Sequence, residues 1–110
     1  MKFDAYTVSI EMIHALRKVM PALCRHDRKL AKQIREAASS VSLNLAEGNR
    51  RQGGDRLHHF RIAAGSADEV QAGLDVAVAW GYFEEASLDE IRSLLDRELA
   101  MLWRLTHPRG

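Results

Sequence analysis

The chain has a single cysteine, Cys24, so it can form no internal disulfide, and a reducing cytoplasm is the compartment that fits. It has only two prolines, Pro21 and Pro108, which leaves long stretches free of the residue that breaks a helical hydrogen-bond ladder. Aromatic residues make up 6% of it, too few and too scattered for the interleaved stacking platforms of single-strand-binding proteins. No run approaches the ~18 apolar residues of a membrane span, and Asp4 and Glu11 fall where a secretory signal needs an apolar stretch. Alternating β-branched segments are nearly absent, as are internal repeats and low-complexity segments. These absences speak against a disulfide scaffold, a membrane protein and a β-rich fold.

What is present is one domain's worth of sequence, residues 1–110, with 46% hydrophobic and 28% charged residues. A chain of that size can bury a core without staples. Its apolar residues recur every three or four positions, which predicts four helices. The first covers roughly 5–20 on a stripe of Tyr6, Ile10, Ile13, Leu16, Val19 and Met20, with Asp4 as N-cap and Pro21 as exit. The second covers roughly 27–50 on Leu30, Ile34, Ala37, Val41 and Leu45, capped by Asp27 and broken by Gly53 and Gly54. The third covers roughly 55–80, about 40 Å long, on Phe60, Ala63, Ala67, Val70, Leu74 and Ala77. The fourth covers roughly 88–106 on Leu88, Ile91, Leu95, Leu99, Leu102 and Leu105, with Ser87 and Glu90 as a capping box. Short links make neighbours antiparallel, so the expected fold is an all-α, up-down-up-down four-helix bundle.

The apolar surface exceeds what one such bundle needs. Ile62, Val76, Val78 and Trp80 lie off the main stripe of the third helix, Leu94, Met101 and Trp103 off that of the fourth, and Leu43 on a polar face of the second. Second apolar seams mark partner surfaces. Homo-oligomerisation is therefore expected, with Leu43, Ile62, Val76, Trp80 and Trp103 at the interface.

Charge is nearly balanced at +1 overall but unevenly spread. Residues 17–61 hold eleven Lys/Arg and four Asp/Glu, and residues 62–100 hold two Arg and nine Asp/Glu. Such a split fits a polyanion-binding face, head-to-tail pairing of subunits, or plain attraction between two halves of a bundle. Arg25, Arg28, Lys29, Lys32 and Arg35 open the second helix, with Arg28, Lys32 and Arg35 on one face, and Arg50, Arg51 and Arg56 flank the glycine pair at its far end. These eight are the candidate nucleic-acid contacts, through phosphates and with little sequence preference.

Small residues crowd the second and third helices, and Gly48 and Gly65 are expected where a backbone passes close. Asn44 and Glu47 share a face there, with Arg61, Ser66 and Glu69 as candidate partners in a structural polar network. A catalytic Glu47 would need a nucleophile, a second acid–base group or a metal-ligand set, and none accompanies it. His58 and His59 project about 100° apart on a helix and do not grip one ion easily. Cys24 and His26 have no second ligand pair at zinc-site spacing. The run NRRQGG (49–54) lacks the Gly-Lys-Ser/Thr ending of a phosphate-binding loop and follows a helix. No enzyme activity, cofactor or metal is expected.

Two runs carry a resemblance. QIREAASSVSLNLAEGNRR (33–51) holds Asn44, Ala46, Glu47 and Gly48. FRIAAGSADEVQAGLDVAVAWGYF (60–83) holds Ala63, Gly65, Ser66 and Glu69, then Gly81 and Tyr82. Together they resemble the bacterial four-helix-bundle family associated with intervening sequences in large-subunit ribosomal RNA. The sequence departs from that family at Glu36-Ala37, where an Arg-Ala pair is usual, and in its near-neutral charge. The resemblance implies a left-handed antiparallel bundle assembling as a homopentameric ring. It also implies a relative, the basic accessory protein of diversity-generating retroelements, which associates with nucleic acid and a reverse transcriptase. The expected function is a cytoplasmic, non-enzymatic oligomeric scaffold that contacts RNA or a ribonucleoprotein partner through its basic face. The alternative is a protein–protein adaptor whose charge split serves its own assembly.

Overall fold

Four helices account for most of residues 3–108, the part of the chain that the structure, a computed structural model, describes. They are α1 (Asp4–His26), α2 (Arg28–Asn49), α3 (Gly53–Ala79) and α4 (Asp89–Thr106), with a 3-10 turn at Glu85–Leu88. No strand occurs among the described residues, and no helix there is long and apolar enough to cross a membrane. α1 packs chiefly on α2 and α4, and α3 on the same two, around a shared core in a body 44 × 23 × 23 Å.

α1 does not stop at Pro21; it runs through the proline to His26. A proline inside a helix withholds its N–H and crowds the carbonyl four residues back, at about 3 kcal/mol. Leu23 follows within a turn and is fully buried, and that burial holds the last turn in helical register. The helix closes where the Asp27 N–H meets the Leu23 carbonyl at 2.8 Å. Asp4 is not the cap of α1 either. Phe3 occupies the cap position without a side-chain bond, and Asp4 is the first helical residue, where its charge suits the positive end of the helix. Asp27 does cap α2, its Oδ1 accepting the Leu30 N–H at 2.9 Å.

The capping box at Ser87 is absent. Ser87 Oγ donates to the Glu84 carbonyl at 2.7 Å, while Glu90 reaches Lys18 at 3.1 Å. Leu88 is fully buried and draws 85–88 into a tight turn, so α4 starts one residue later without a side-chain cap. Gly53 and Gly81 sit at φ of 59° and 81°, the left-handed region where glycine is at ease, and they mark the entry to α3 and the exit beyond it.

α2 and α3 make the most extensive contact. Ile34 faces Gly73, Ser40 faces Ser66 and Gly48 faces Phe60, so residue numbers rise along one helix as they fall along the other. A Cβ at Gly73 would lie 2.5 Å from Ile34, and one at Gly48 would lie 2.6 Å from the Phe60 ring. Gly65 differs from its expected role: a Cβ there would meet nothing within 4 Å.

The core is built from Met12, Leu23, Ile34, Leu45, Leu74, Leu95 and Leu102, among others. The spacing of α4 places Leu99 at one core position. That position belongs to Glu98, which is 0% exposed and shares its face with Ile91, Leu95 and Leu102, while Leu99 is half-buried. The second seams also shrink. Val78, Leu94 and Met101 pack against the core of their own chain, leaving Leu43, Ile62, Val76, Trp80 and Trp103 as exposed apolar residues.

Candidate nucleic-acid interface

The two basic clusters stand at opposite ends of α2 and differ in what surrounds them. At the far end, Arg50 Nη2 lies 2.6 Å from Glu47 Oε1. Arg51 grips Glu47 at 2.8 Å and Asp55 at 2.9 Å. The Arg51 hydrogen bond, aided by Arg50, holds the Glu47 carboxyl below the usual carboxylate range, and that bond to Glu47, then the charge of Asp55, raises the Arg51 guanidinium. The Arg56 guanidinium stacks 5.2 Å over the Phe60 ring. Neighbours three and four residues away along the chain thus occupy much of this cluster.

At the near end, Arg25 stands in the last turn of α1 rather than at the start of α2, because the helix runs on past Pro21. It and Arg28, Lys29, Lys32 and Arg35 are all exposed, and none of them enters an ion pair among the described residues. Two carboxylates stand near this cluster: Glu36, exposed beside Lys32 and Arg35 and in no ion pair among the described residues, and Asp27, which is committed elsewhere. One oxygen caps α2, and the other accepts the Tyr82 hydroxyl at 3.0 Å. Partial burial, then that bond to Asp27, pushes the Tyr82 phenol above its ordinary value. The His26 ring stacks on Tyr82 with centroids 5.0 Å apart, which fixes the α1–α2 turn against the chain leaving α3. Beyond the first turns, Lys32 and Arg35 border a shallow groove of about 490 Å³ on the outside of α2, with Ser39, Ser40 and Asn44 along it. This end of α2 offers unpaired cations on a rigid helix, a surface that attracts phosphate by counterion release.

The polar network between α2 and α3 has different members from those expected. Asn44 Nδ2 donates to the Ser40 carbonyl at 3.0 Å and to Ser40 Oγ at 3.1 Å. Its Oδ1 lies 3.0 Å from His59 Nδ1, so the His59 ring donates there. Ser66 Oγ donates to Ser40 Oγ at 2.8 Å. Glu47 turns instead to the arginines of its own helix end, and Arg61 and Glu69 are exposed and make no hydrogen bond to this set. Ser40 could have been found from its i−4 spacing to Asn44 and His59 from the antiparallel register. His58 and His59 stand with ring centroids 5.6 Å apart, and no group of three or more His, Cys, Asp or Glu among the described residues is arranged to hold a metal.

The core holds a second polar group that the sequence reading missed. Ser9 Oγ donates to the Tyr6 carbonyl at 2.6 Å and lies 2.8 Å from Ser42 Oγ, both serines being buried. Glu98 has no hydrogen-bond partner for either carboxyl oxygen, and burial pushes its pKa up to about 8. Its place in the spacing Ile91, Leu95, Glu98, Leu102 was the signal.

This fold is similar to the 1.70 Å crystal structure of a protein with unknown function from the S23 ribosomal protein family from Bacteroides thetaiotaomicron. The likeness covers 94% of this chain and 99% of that one, with a TM-score of 0.83 and 18% sequence identity. No curated protein matches the sequence significantly. A family model, described as 23S rRNA-intervening sequence protein, matches residues 1–104. The chain therefore belongs to the 23S rRNA-intervening sequence protein family.

Proposed function

We propose that this protein is a non-enzymatic, homo-oligomeric binding module that contacts RNA through the last turn of α1 and the first turns of α2. In this reading its four helices form an up-down-up-down bundle, and the bundles assemble as a ring, a pentamer. The observation that carries the RNA contact is the cluster Arg25, Arg28, Lys29, Lys32 and Arg35, exposed and outside every ion pair among the described residues. The family's description, tied to an intervening sequence in 23S rRNA, points the same way. Contacts of this kind neutralise phosphates and leave base edges unread, so affinity tracks salt more than sequence.

The test is binding of fluorescent structured RNA and duplex DNA across a salt series. Affinity should fall linearly in log–log, with a slope of about 0.9 per duplex phosphate neutralised. The triple variant Arg28→Glu, Lys29→Glu, Lys32→Glu should lose at least about tenfold in affinity. Equal affinity in the triple variant would remove this face from the reading. Absence of binding even at low salt would favour the second reading, an adaptor whose basic and acidic halves serve assembly alone; the nine Asp/Glu within 62–100 are what support it.

A further inference from the structure

α3 carries more apolar surface than its own chain covers. Phe60, Ala63, Ala67, Val70, Leu74 and Ala77 are buried on its inner side. A second series at the same three- and four-residue spacing, Ile62, Gly65, Glu69, Ala72, Val76 and Trp80, faces outward. Ile62, Val76 and Trp80 are 38%, 42% and 71% exposed. Gly65 adds an independent point. A glycine inside a helix costs about 1 kcal/mol against alanine, and nothing in its own chain lies close enough to require one there.

Elsewhere on the molecule, α1 and α2 leave a groove. Ile13, Leu16, Met20 and Pro21 line a section of about 570 Å³, and Tyr6 and Ile10 continue it into a section of about 300 Å³ beside Leu43, itself 69% exposed. From Tyr6 to Cys24 the groove follows about five turns of α1, and from Ile62 to Trp80 the outer stripe follows about five turns of α3, each ~27 Å at 1.5 Å per residue.

The charges match as well as the lengths. Asp68 and Glu69, near the middle of the stripe, are exposed and outside every ion pair among the described residues. Arg17 and Arg35, near the middle of the groove, are exposed and equally unpaired. Stripe against stripe would set carboxylates on carboxylates, and groove against groove would set guanidinium on guanidinium. Stripe against groove pairs opposite signs.

We propose that a second copy of this chain lays the outer stripe of its α3 into the α1–α2 groove, with Asp68 and Glu69 of one copy meeting Arg17 and Arg35 of the other. This rests on the homo-oligomeric reading above and names the two faces that meet. Two different faces make a head-to-tail contact, which closes into a ring when the rotation between copies allows. The seam takes Arg35 out of the basic cluster and leaves Arg25, Arg28 and Lys29, at the end of the molecule, outside it for RNA.

Sedimentation velocity over a concentration series tests the seam on three samples, with circular dichroism melts confirming that each is folded. Arg17→Glu/Arg35→Glu and Asp68→Arg/Glu69→Arg should each weaken self-association at least about 100-fold, since each now opposes like charges. A one-to-one mixture of the two variants should assemble again, because every stripe then meets a groove of opposite sign. Gly65→Leu, which fills the stripe without touching charge, should weaken assembly while leaving the fold intact. A wild-type protein that stays monomeric at every concentration overturns the oligomer reading and the seam together. A wild-type oligomer that survives both charge reversals, or variants that fail to recover on mixing, overturns the seam and leaves the oligomer reading standing.

Discussion

On the inner side of α3, Gly73 lies so close to Ile34 that a Cβ would come within 2.5 Å of it; on the outer side, Gly65 has open space around it. Both glycines sit on apolar faces with the same helical spacing, and the spacing alone does not tell them apart. Periodicity counts the apolar seams of a helix, but it does not say which of them its own chain covers. The two basic clusters on α2 teach the same lesson in charge. Arg50 and Arg51 are gripped by Glu47 and Asp55, while Arg28 and Lys32 meet no carboxylate.

The sharpest break in that comparison is Glu98, a charged residue type on an inner face. Its folded pKa is about 8 against an ordinary 4.5, so it is neutral in the folded chain at neutral pH. Well below pH 4.5 it is protonated in both states and adds no pH dependence to stability. As pH rises from 4.5 towards 8, the unfolded chain gains by ionising and the folded chain does not, so stability falls across that window. At pH 7 the loss is on the order of 3 kcal/mol. Glu98→Leu should recover much of this, and Glu98→Gln should remove the pH slope with a smaller gain, because its amide stays unpartnered. Urea denaturation at several pH values reads both, and a slope that persists in Glu98→Gln would assign the titration to another group.

Gly73→Ala probes the inner side of α3. The new methyl must push Ile34 aside, at about 1–3 kcal/mol, and the ~1 kcal/mol gained in helix propensity offsets only part of this. A net loss of up to about 2 kcal/mol in a chemical melt is expected. Gly65→Ala is the matched outer change and the smallest effect. With nothing near its Cβ, it should stabilise the dilute chain by about 0.5–1 kcal/mol. Equal effects at the two positions would erase the distinction between the faces.

The sequence by itself determined the helical class, the placement of α2, α3 and α4, the Asp27 cap and the inner stripes of α2 and α3, because these follow from spacing along one helix and from local hydrogen bonds. On α1 it did not, since the buried face there is Ala5, Val8, Met12, Ala15 and Leu16, and of the expected stripe only Leu16 is buried. Tertiary structure decided what depended on a neighbour. Pro21 stays inside α1 because Leu23 is buried beyond it, and Ser87 loses its capping role because Leu88 is pulled into the core. Asn44 meets His59 and Ser40 meets Ser66 because α2 and α3 pass in opposite directions at one particular register, whereas Glu47 goes to Arg50 and Arg51, its neighbours three and four residues along the chain. Gly65 and Gly73 look alike in a string of letters, and only the position of Ile34 separates them. Local preference is worth about 1 kcal/mol per residue. A neighbouring side chain 2.5 Å from a would-be Cβ, or a carboxyl shut away from water, outweighs it.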